Sequence, residues 1–281
     1  MYRKMRELII LKLGGSVITK GEEKAEVDEE NLRRLAREIA EAKRDGNFGL
    51  MVVHGAGPFG HVPAKKYGLD KGLRDDRQLE GFSVTHQSME KLNFSVVCSL
   101  REEGINAIAY QPSTLGILRD KELVYFPTRV LEKLLEMNMV PVAYGDVLVD
   151  EKTGINILSG DHLVPYLARR LKAERVVIAT DVDGVFNLDP KKHEDAELIK
   201  EITSENVNSI LEVGTSRRTD VTGGMERKLN ELLGLAAQGI HSEIVSGVKP
   251  DILKRALLGE KGLGTLIRKY SGDVGNRNRI C

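Results

Sequence analysis

No tryptophan occurs in the 281 residues, and Phe, Tyr and Trp together supply only 5% of them. So few rings give no support to an aromatic-lined groove for a polymer. Cysteine is equally sparse: Cys98 and Cys281 are too few and too far apart for a disulfide scaffold. Cys98, set among Phe94, Val96, Val97 and Leu100, is expected to be a buried thiol. Net charge is absent, with 42 basic residues against 42 acidic ones. That balance argues against a general nucleic-acid or anionic-membrane surface and leaves room for a local basic pocket. Arg3, Lys4 and Arg6 precede an apolar run that charge and a glycine turn soon interrupt. Neither an export signal nor a membrane span is expected, and the default location is the cytoplasm. There is no strong internal repeat and no low-complexity tract.

What is present is an alternation of apolar runs and amphipathic stretches. Leu8–Leu13, Leu50–Val53, Val140–Ala143 and Val176–Ala179 read as buried strands. Asp28 is placed to cap a helix whose apolar face is Leu32, Leu35, Ala36, Ile39 and Ala40. A long helix is expected from about Leu79 to Glu102, with Gly104 behind it and a strand at Ile105–Ala109. Pro127–Met137 reads as a helix with proline at its start. Val147–Val149 and Ile155–Leu158 flank Lys152-Thr153-Gly154 as a hairpin. A helix carrying Met225, Leu229, Leu232, Leu233 and Ala236, the strand Ile244–Val245, a short helix near Asp251–Leu257 and a final strand complete the pattern. The alternation predicts an α/β fold: a three-layer αβα sandwich around a mostly parallel sheet. A functional division near residue 170, into 1–170 and 171–281, comes without a flexible linker, so two lobes sharing one sheet are expected.

Two glycine-rich bends follow early strands. Gly14-Gly15-Ser16 comes after Lys12, and Gly55-Ala56-Gly57-Pro58-Phe59-Gly60-His61 comes after Leu50–Val53. Such bends turn several N–H groups toward an anion, so phosphoryl groups are expected there. Each taken alone is equally compatible with a tight strand-to-helix turn. Gly55, Gly57 and Gly60 match the spacing of a dinucleotide fingerprint, but its second half is missing. Asp75, Asp76 and Glu80 lie in a charged connection instead of ending a strand, and Pro58 interrupts the expected helix start. No Gly-x-x-x-x-Gly-Lys-Ser/Thr segment occurs either.

Five segments stand in a telling order: Lys12-Leu13-Gly14-Gly15-Ser16, His54-Gly55-Ala56-Gly57, Gly160-Asp161, Thr180-Asp181-Val182-Asp183-Gly184 and Thr222-Gly223-Gly224-Met225. In that order the chain resembles the amino acid kinase superfamily. Gly57-Pro58-Phe59-Gly60-His61, followed by Ala64-Lys65-Lys66-Tyr67, narrows the resemblance to the isopentenyl phosphate kinases. The resemblance implies that the γ-phosphoryl group of ATP, accompanied by Mg²⁺, passes to isopentenyl phosphate, giving isopentenyl diphosphate and ADP. It also implies a homodimer. A kinase of another small phosphate or phosphonate, such as fosfomycin, is the nearer alternative. Uridylate kinase fits the Phe-Gly-His segment less well, and a catalytically silent nucleotide-binding regulator is the non-enzyme alternative.

The resemblance further implies residue roles. Lys12 and Lys228 follow the transferring phosphoryl oxygens, and Asp161 organises the two lysines. His61 meets the acceptor phosphate beside Gly55, Ala56, Gly57, Gly60 and Gly160. ATP is expected at Lys12, Gly14, Gly15, Ser16, Thr180, Asp181, Asp183, Gly223, Gly224 and Lys228, with Asn187 and Lys191 as weaker candidates. Lys20 stands beside Gly21, where the family usually has a basic residue. Ala56 stands where the family commonly has glycine, and it fits if its backbone dihedrals are ordinary. For the residues alone, Asp161 is also a plain helix-capping position, Lys228 a solvated helix charge and Asp181/Asp183 a surface turn. No protein ligand is assigned to the metal. The acceptor tail is expected against the helix from about Leu79, with Phe82, Val84 and Met89 as candidates.

Overall fold

The computed structural model describes residues 7–210 and 223–270, with the backbone alone at 223–226. Arg3, Lys4, Arg6, Thr222, the Met225 side chain and Cys281 lie outside the described residues. The chain begins β1 (Leu8–Leu13), α1 (Gly15–Ile18), α2 (Glu29–Asp45), β2 (Gly49–His54), α3 (Gly57–Tyr67) and α4 (Asp76–Glu102). It continues β3 (Ala107–Ala109), β4 (Ile117–Arg119), β5 (Glu122–Tyr125), α5 (Arg129–Glu136), β6 (Val140–Tyr144), β7 (Asp146–Asp150) and β8 (Gly154–Leu158). Then follow α6 (Gly160–Leu171), β9 (Arg175–Thr180), β10 (Glu201–Ile202), α7 (Gly223–Ala237), β11 (His241–Ser246), α8 (Ile252–Leu257) and β12 (Thr265–Ile267).

An eight-stranded sheet runs β10-β12-β11-β9-β1-β2-β6-β3 and is parallel except where β12 meets β11. Central β1 aligns Leu11 with Val52 of β2 on one side and with Val177 of β9 on the other. Alternate side chains of each strand enter opposite cores, as a period of two requires. Leu8 and Ile10 join Met51, Val53, Val176 and Ile178 under the helices that carry Leu131, Leu163 and Leu229. Ile9, Leu11 and Leu13 join Leu50, Val52 and Val177 under Leu35, Met89 and Leu253. The result is the expected αβα sandwich. Lys12 shares its parity with Leu8 and Ile10, and so faces the layer that holds α6 and α7.

Local chemistry sets the helix ends. Asp28 caps α2 by accepting from Asn31 N at 3.1 Å. α4 starts three residues before Leu79 because Asp75 and Gln78 form a reciprocal capping box. Pro127 precedes α5, whose N-cap is Thr128, so the proline leads into the helix and does not open it. Cys98 is half-buried rather than buried, since Phe94 of the same helix is 71% exposed. No helix among the described residues is long and apolar enough to cross a membrane.

A second sheet, β5-β4-β7-β8, lies outside the sequence-based expectation apart from its β7–β8 hairpin. β4 and β5 turn through Asp120 and Lys121, both at positive φ without a glycine. The Asp150 carboxylate makes this turn possible. It accepts from the N–H groups of Asp120 and Lys121 in one turn and of Lys152 and Thr153 in the other. Burial alone would raise the Asp150 carboxyl, but these four donors bring it down to about 2.

Candidate active site

The parallel strands β1, β2, β6 and β9 end on the same side of the sheet, where α/β folds place their ligands. Their loops border one cleft of about 590 Å³. Its wall includes Lys12, Gly14, Gly15 and Ser16 after β1, and Gly55 to Pro58, Gly60 and His61 after β2. Gly145 and Asp146 contribute after β6, Ser159 to Asp161 at the start of α6, and Thr180 and Asp181 after β9.

The two glycine bends pack backbone to backbone. A Cβ on Gly15 would stand 2.3 Å from Gly57 N, and one on Gly55 would stand 2.6 Å from Gly15 N. Gly57 takes φ +49°, with Thr19 Oγ1 2.5 Å from where a Cβ would be. Ala56, by contrast, has φ −84° and ψ −32°, an ordinary right-handed conformation. Its methyl is accommodated because residue 60 is glycine, where a Cβ would lie 2.6 Å from Ala56 Cβ. Gly14, which hydrogen-bonds from its N–H to Ala179 O at 2.9 Å, ties the first bend to β9.

Three charges meet at the centre. Lys12 Nζ donates to Asp161 Oδ1 at 2.5 Å, and Lys228 Nζ lies 3.6 Å from the same oxygen. Burial pushes the Lys12 ammonium below its ordinary pKa, Asp161 opposes that, and Lys228 adds to it. Burial alone would raise Asp161, but the two lysines hold it below the usual carboxylate range. One carboxylate thus spaces two cations along the cleft wall, an arrangement able to neutralise the oxygens of a phosphoryl group.

His61 is exposed at the start of the second turn of α3 and borders the cleft. His54 is fully buried, stacks on Tyr144 and contacts Gly55 O and Asn93 Oδ1. Burial drives its pKa down to about 4, so the ring is a neutral brace beneath the second bend. Asp181 reaches the wall with Ser16 Oγ donating to it at 3.1 Å and Lys191 Nζ at 2.5 Å. Burial favours a raised Asp181 pKa, yet Lys191 and Ser16 hold it low.

Not every expected residue comes to the cleft. Lys20 turns outward to Glu26 at 3.3 Å, and Gly21 and Glu22 border the cleft in its place. Asp183 binds Lys249 at 2.5 Å away from the wall, and the Asn187 side chain accepts from Glu197 N. Gly223 and Gly224 open α7, the helix that carries Lys228. Met89 borders the cleft, whereas Val84 is 41% exposed and Phe82 packs against the small core of Ala64, Leu69, Val147 and Ile155. Helix phase turns Val84 away from the face that Thr85 and Met89 share, whereas Phe82 lies on that face two turns before Met89 and is taken up by the small core.

Thr85, Val147 and Ile157 are wall residues that the sequence pattern does not single out, and Ala64 enters it only as part of the segment after His61. Asp146 is another. Its Oδ2 receives Ser113 Oγ at 2.5 Å and faces His86 Nδ1 at 2.7 Å, while Oδ1 accepts from Val147 N. The hydrogen bond to Asp146 raises the His86 pKa against the opposing effect of burial. Among the described residues no group of three or more His, Cys, Asp or Glu side chains is arranged to hold a metal ion.

The model of the amino acid kinase family matches residues 7–246. Isopentenyl phosphate kinase of Methanothermobacter thermautotrophicus is 42% identical, over 92% of this chain and 98% of that protein. The enzyme of the same name from Methanocaldococcus jannaschii is 37% identical, over 90% and 96%. A solved isopentenyl phosphate kinase structure superimposes with a TM-score of 0.80 at 39% identity, covering 92% of this chain and 99% of the other. Sheet architecture, glycine bends and similarity along nearly the full length of both partners agree: this chain belongs to the amino acid kinase family.

Proposed function

We propose that the chain transfers the γ-phosphoryl group of ATP to isopentenyl phosphate, forming isopentenyl diphosphate and ADP. The observation that carries the reading is the Lys12–Asp161–Lys228 cluster on the same cleft wall as the His61 bend. The similarity to isopentenyl phosphate kinases supports this acceptor over others.

The acceptor is a phosphate monoester with a second pKa of about 6, so it is largely dianionic at neutral pH and needs no strong base. The chemical difficulty is to bring two anions together in line. Lys12 and Lys228 neutralise the equatorial oxygens of the transferring group, while Asp161 holds both ammonium groups in position. Gly14, Gly15 and Ser16 present N–H groups to the donor phosphates, with Thr180 and Asp181 beside them. His61 and the Gly55–Gly57 backbone receive the acceptor phosphate. Residues 1–170 supply the acceptor side together with the first donor-phosphate bend, and 171–281 the rest of the ATP side.

Asp181 and Asp183 are each paired with a lysine, so they do not form a ready metal cage. Mg²⁺ is therefore assigned to the ATP phosphates as part of the substrate. We assign the enzyme to the cytoplasm, as the sparse cysteines suggest, and to a homodimer, as the family resemblance implies.

The test is ADP formation with ATP, Mg²⁺ and a panel of isopentenyl phosphate, uridine monophosphate, fosfomycin and small carboxylates, ranked by kcat/KM. Isopentenyl phosphate is expected to lead. Robust turnover of another member without it would replace the acceptor, and ATP binding without any turnover would favour a regulatory protein.

A further inference from the structure

Among the described residues of the cleft wall, one hydroxyl lacks a partner. Thr85 is 3% exposed, and its Oγ1 is buried without a hydrogen-bond partner. Hydroxyls within helices commonly bond back to the carbonyl four residues earlier. In α4 Ser83 donates to Leu79 O and Ser95 to Lys91 O in this way, but Thr85 does not. Other wall hydroxyls are engaged as well. Ser16 and Thr180 donate to Asp181, Thr19 to Gly15 O, and Ser159 accepts from His162 N. Both oxygens of Asp146 are likewise taken.

The position of this hydroxyl is defined by its helix. Met89 reaches the second glycine bend, since its Sδ lies 3.1 Å from where a Gly60 Cβ would be. Thr85 stands four residues back on the same face, about 6 Å along the axis. One turn further, Gly81 is covered by Tyr67 and Leu69. Between the phosphate bend and that cover the wall is apolar, with Ala64, Val147 and Ile157. Thr85 thus brings an unpartnered hydroxyl to the stretch of wall beyond the phosphate bend.

We propose that Thr85 is a specificity-determining residue that hydrogen-bonds an oxygen on the acceptor tail. The site would then take short branched alkyl monophosphates carrying a tail hydroxyl as well as hydrocarbon ones. This rests on the acceptor-phosphate reading given above. A purely apolar pocket disfavours an added hydroxyl, whereas a pocket with a waiting partner accepts it.

The test compares 3-methylbutyl monophosphate with 3-hydroxy-3-methylbutyl monophosphate, which differ by one hydroxyl, and uses isopentenyl phosphate as the control. Wild-type enzyme is expected to use the hydroxylated acceptor within about tenfold of the plain one in kcat/KM. Thr85→Val should lower the hydroxylated-to-plain ratio about tenfold, and Thr85→Ser should hold it near the wild-type value. If the valine variant does not fold, Thr85→Ala gives the same comparison. Parallel changes for both acceptors, as hydration of Thr85 by a trapped water would produce, overturn the inference, as does a wild type that rejects the hydroxylated acceptor. No turnover of isopentenyl phosphate, by contrast, brings down the underlying reading.

Discussion

At the scale of single residues, charge spacing dominates. Lys12 is buried and its pKa is depressed, so its ammonium is lost at a lower pH than that of a free lysine. The alkaline limb of kcat/KM for ATP is therefore expected below 10.5, because that limb reports the free enzyme. Asp161 raises the Lys12 pKa and Lys228 lowers it. Asp161→Asn should move the limb to lower pH and Lys228→Met to higher pH, each with reduced turnover. A limb that stays in place in both variants would remove Lys12 as its source. His61→Gln is expected to raise the acceptor KM about tenfold with little change in the ATP KM, as measured by steady-state kinetics. Lys12 was legible in the sequence from its place in a strand before a glycine bend. Thr85 was not, because helix phase over 27 residues depends on how α4 rolls against the sheet. The same uncertainty put Val84 among the tail candidates, whereas Phe82 shares the face of Met89 and is diverted by the core of Ala64, Leu69, Val147 and Ile155.

At the scale of elements, the two glycine bends act as one unit. Gly15→Ala would drive a methyl into the Gly57 backbone, so the bends must separate. A drop in kcat/KM of more than about tenfold is expected, since small displacements of positioned groups are costly in rate. The bends were visible as glycine clusters, but their mutual contact joins segments some 40 residues apart and has no local signature. Strands with continuous apolar runs were legible for a related reason: both of their faces are covered. The β4–β5 hairpin was hidden because Asp120-Lys121 replaces the usual Asn-Gly turn and its support comes from Asp150. Asp150→Ala should lower stability by about 2 kcal/mol or more, read by denaturant unfolding. The sign with pH is fixed by the direction of its shift. Asp150 stabilises the fold above the ordinary carboxylate pKa of 3.8, and that contribution fades as pH falls toward about 2.

At the scale of the whole molecule, the exposed ring of Phe94 and the exposed Ile108 lie on α4 and on edge strand β3, which pack together. This is the apolar surface on which the proposed homodimer is expected to close. Light scattering should give a dimer mass for the wild type, and Phe94→Glu should shift it toward the monomer. An unchanged dimer would put the contact elsewhere. The sandwich itself was legible because alternation of strand and helix is a property of the sequence, while no sequence pattern marks a surface for the proposed pairing of two copies.

The central strand has one more consequence. β1 is hydrogen-bonded along both edges, so its amides open only when the sheet comes apart. Their hydrogen exchange should be among the slowest in the chain, and Lys12 rides on that frame. In the proposed reaction, the order its ammonium needs would thus be established once, during folding, and not created again at every turnover.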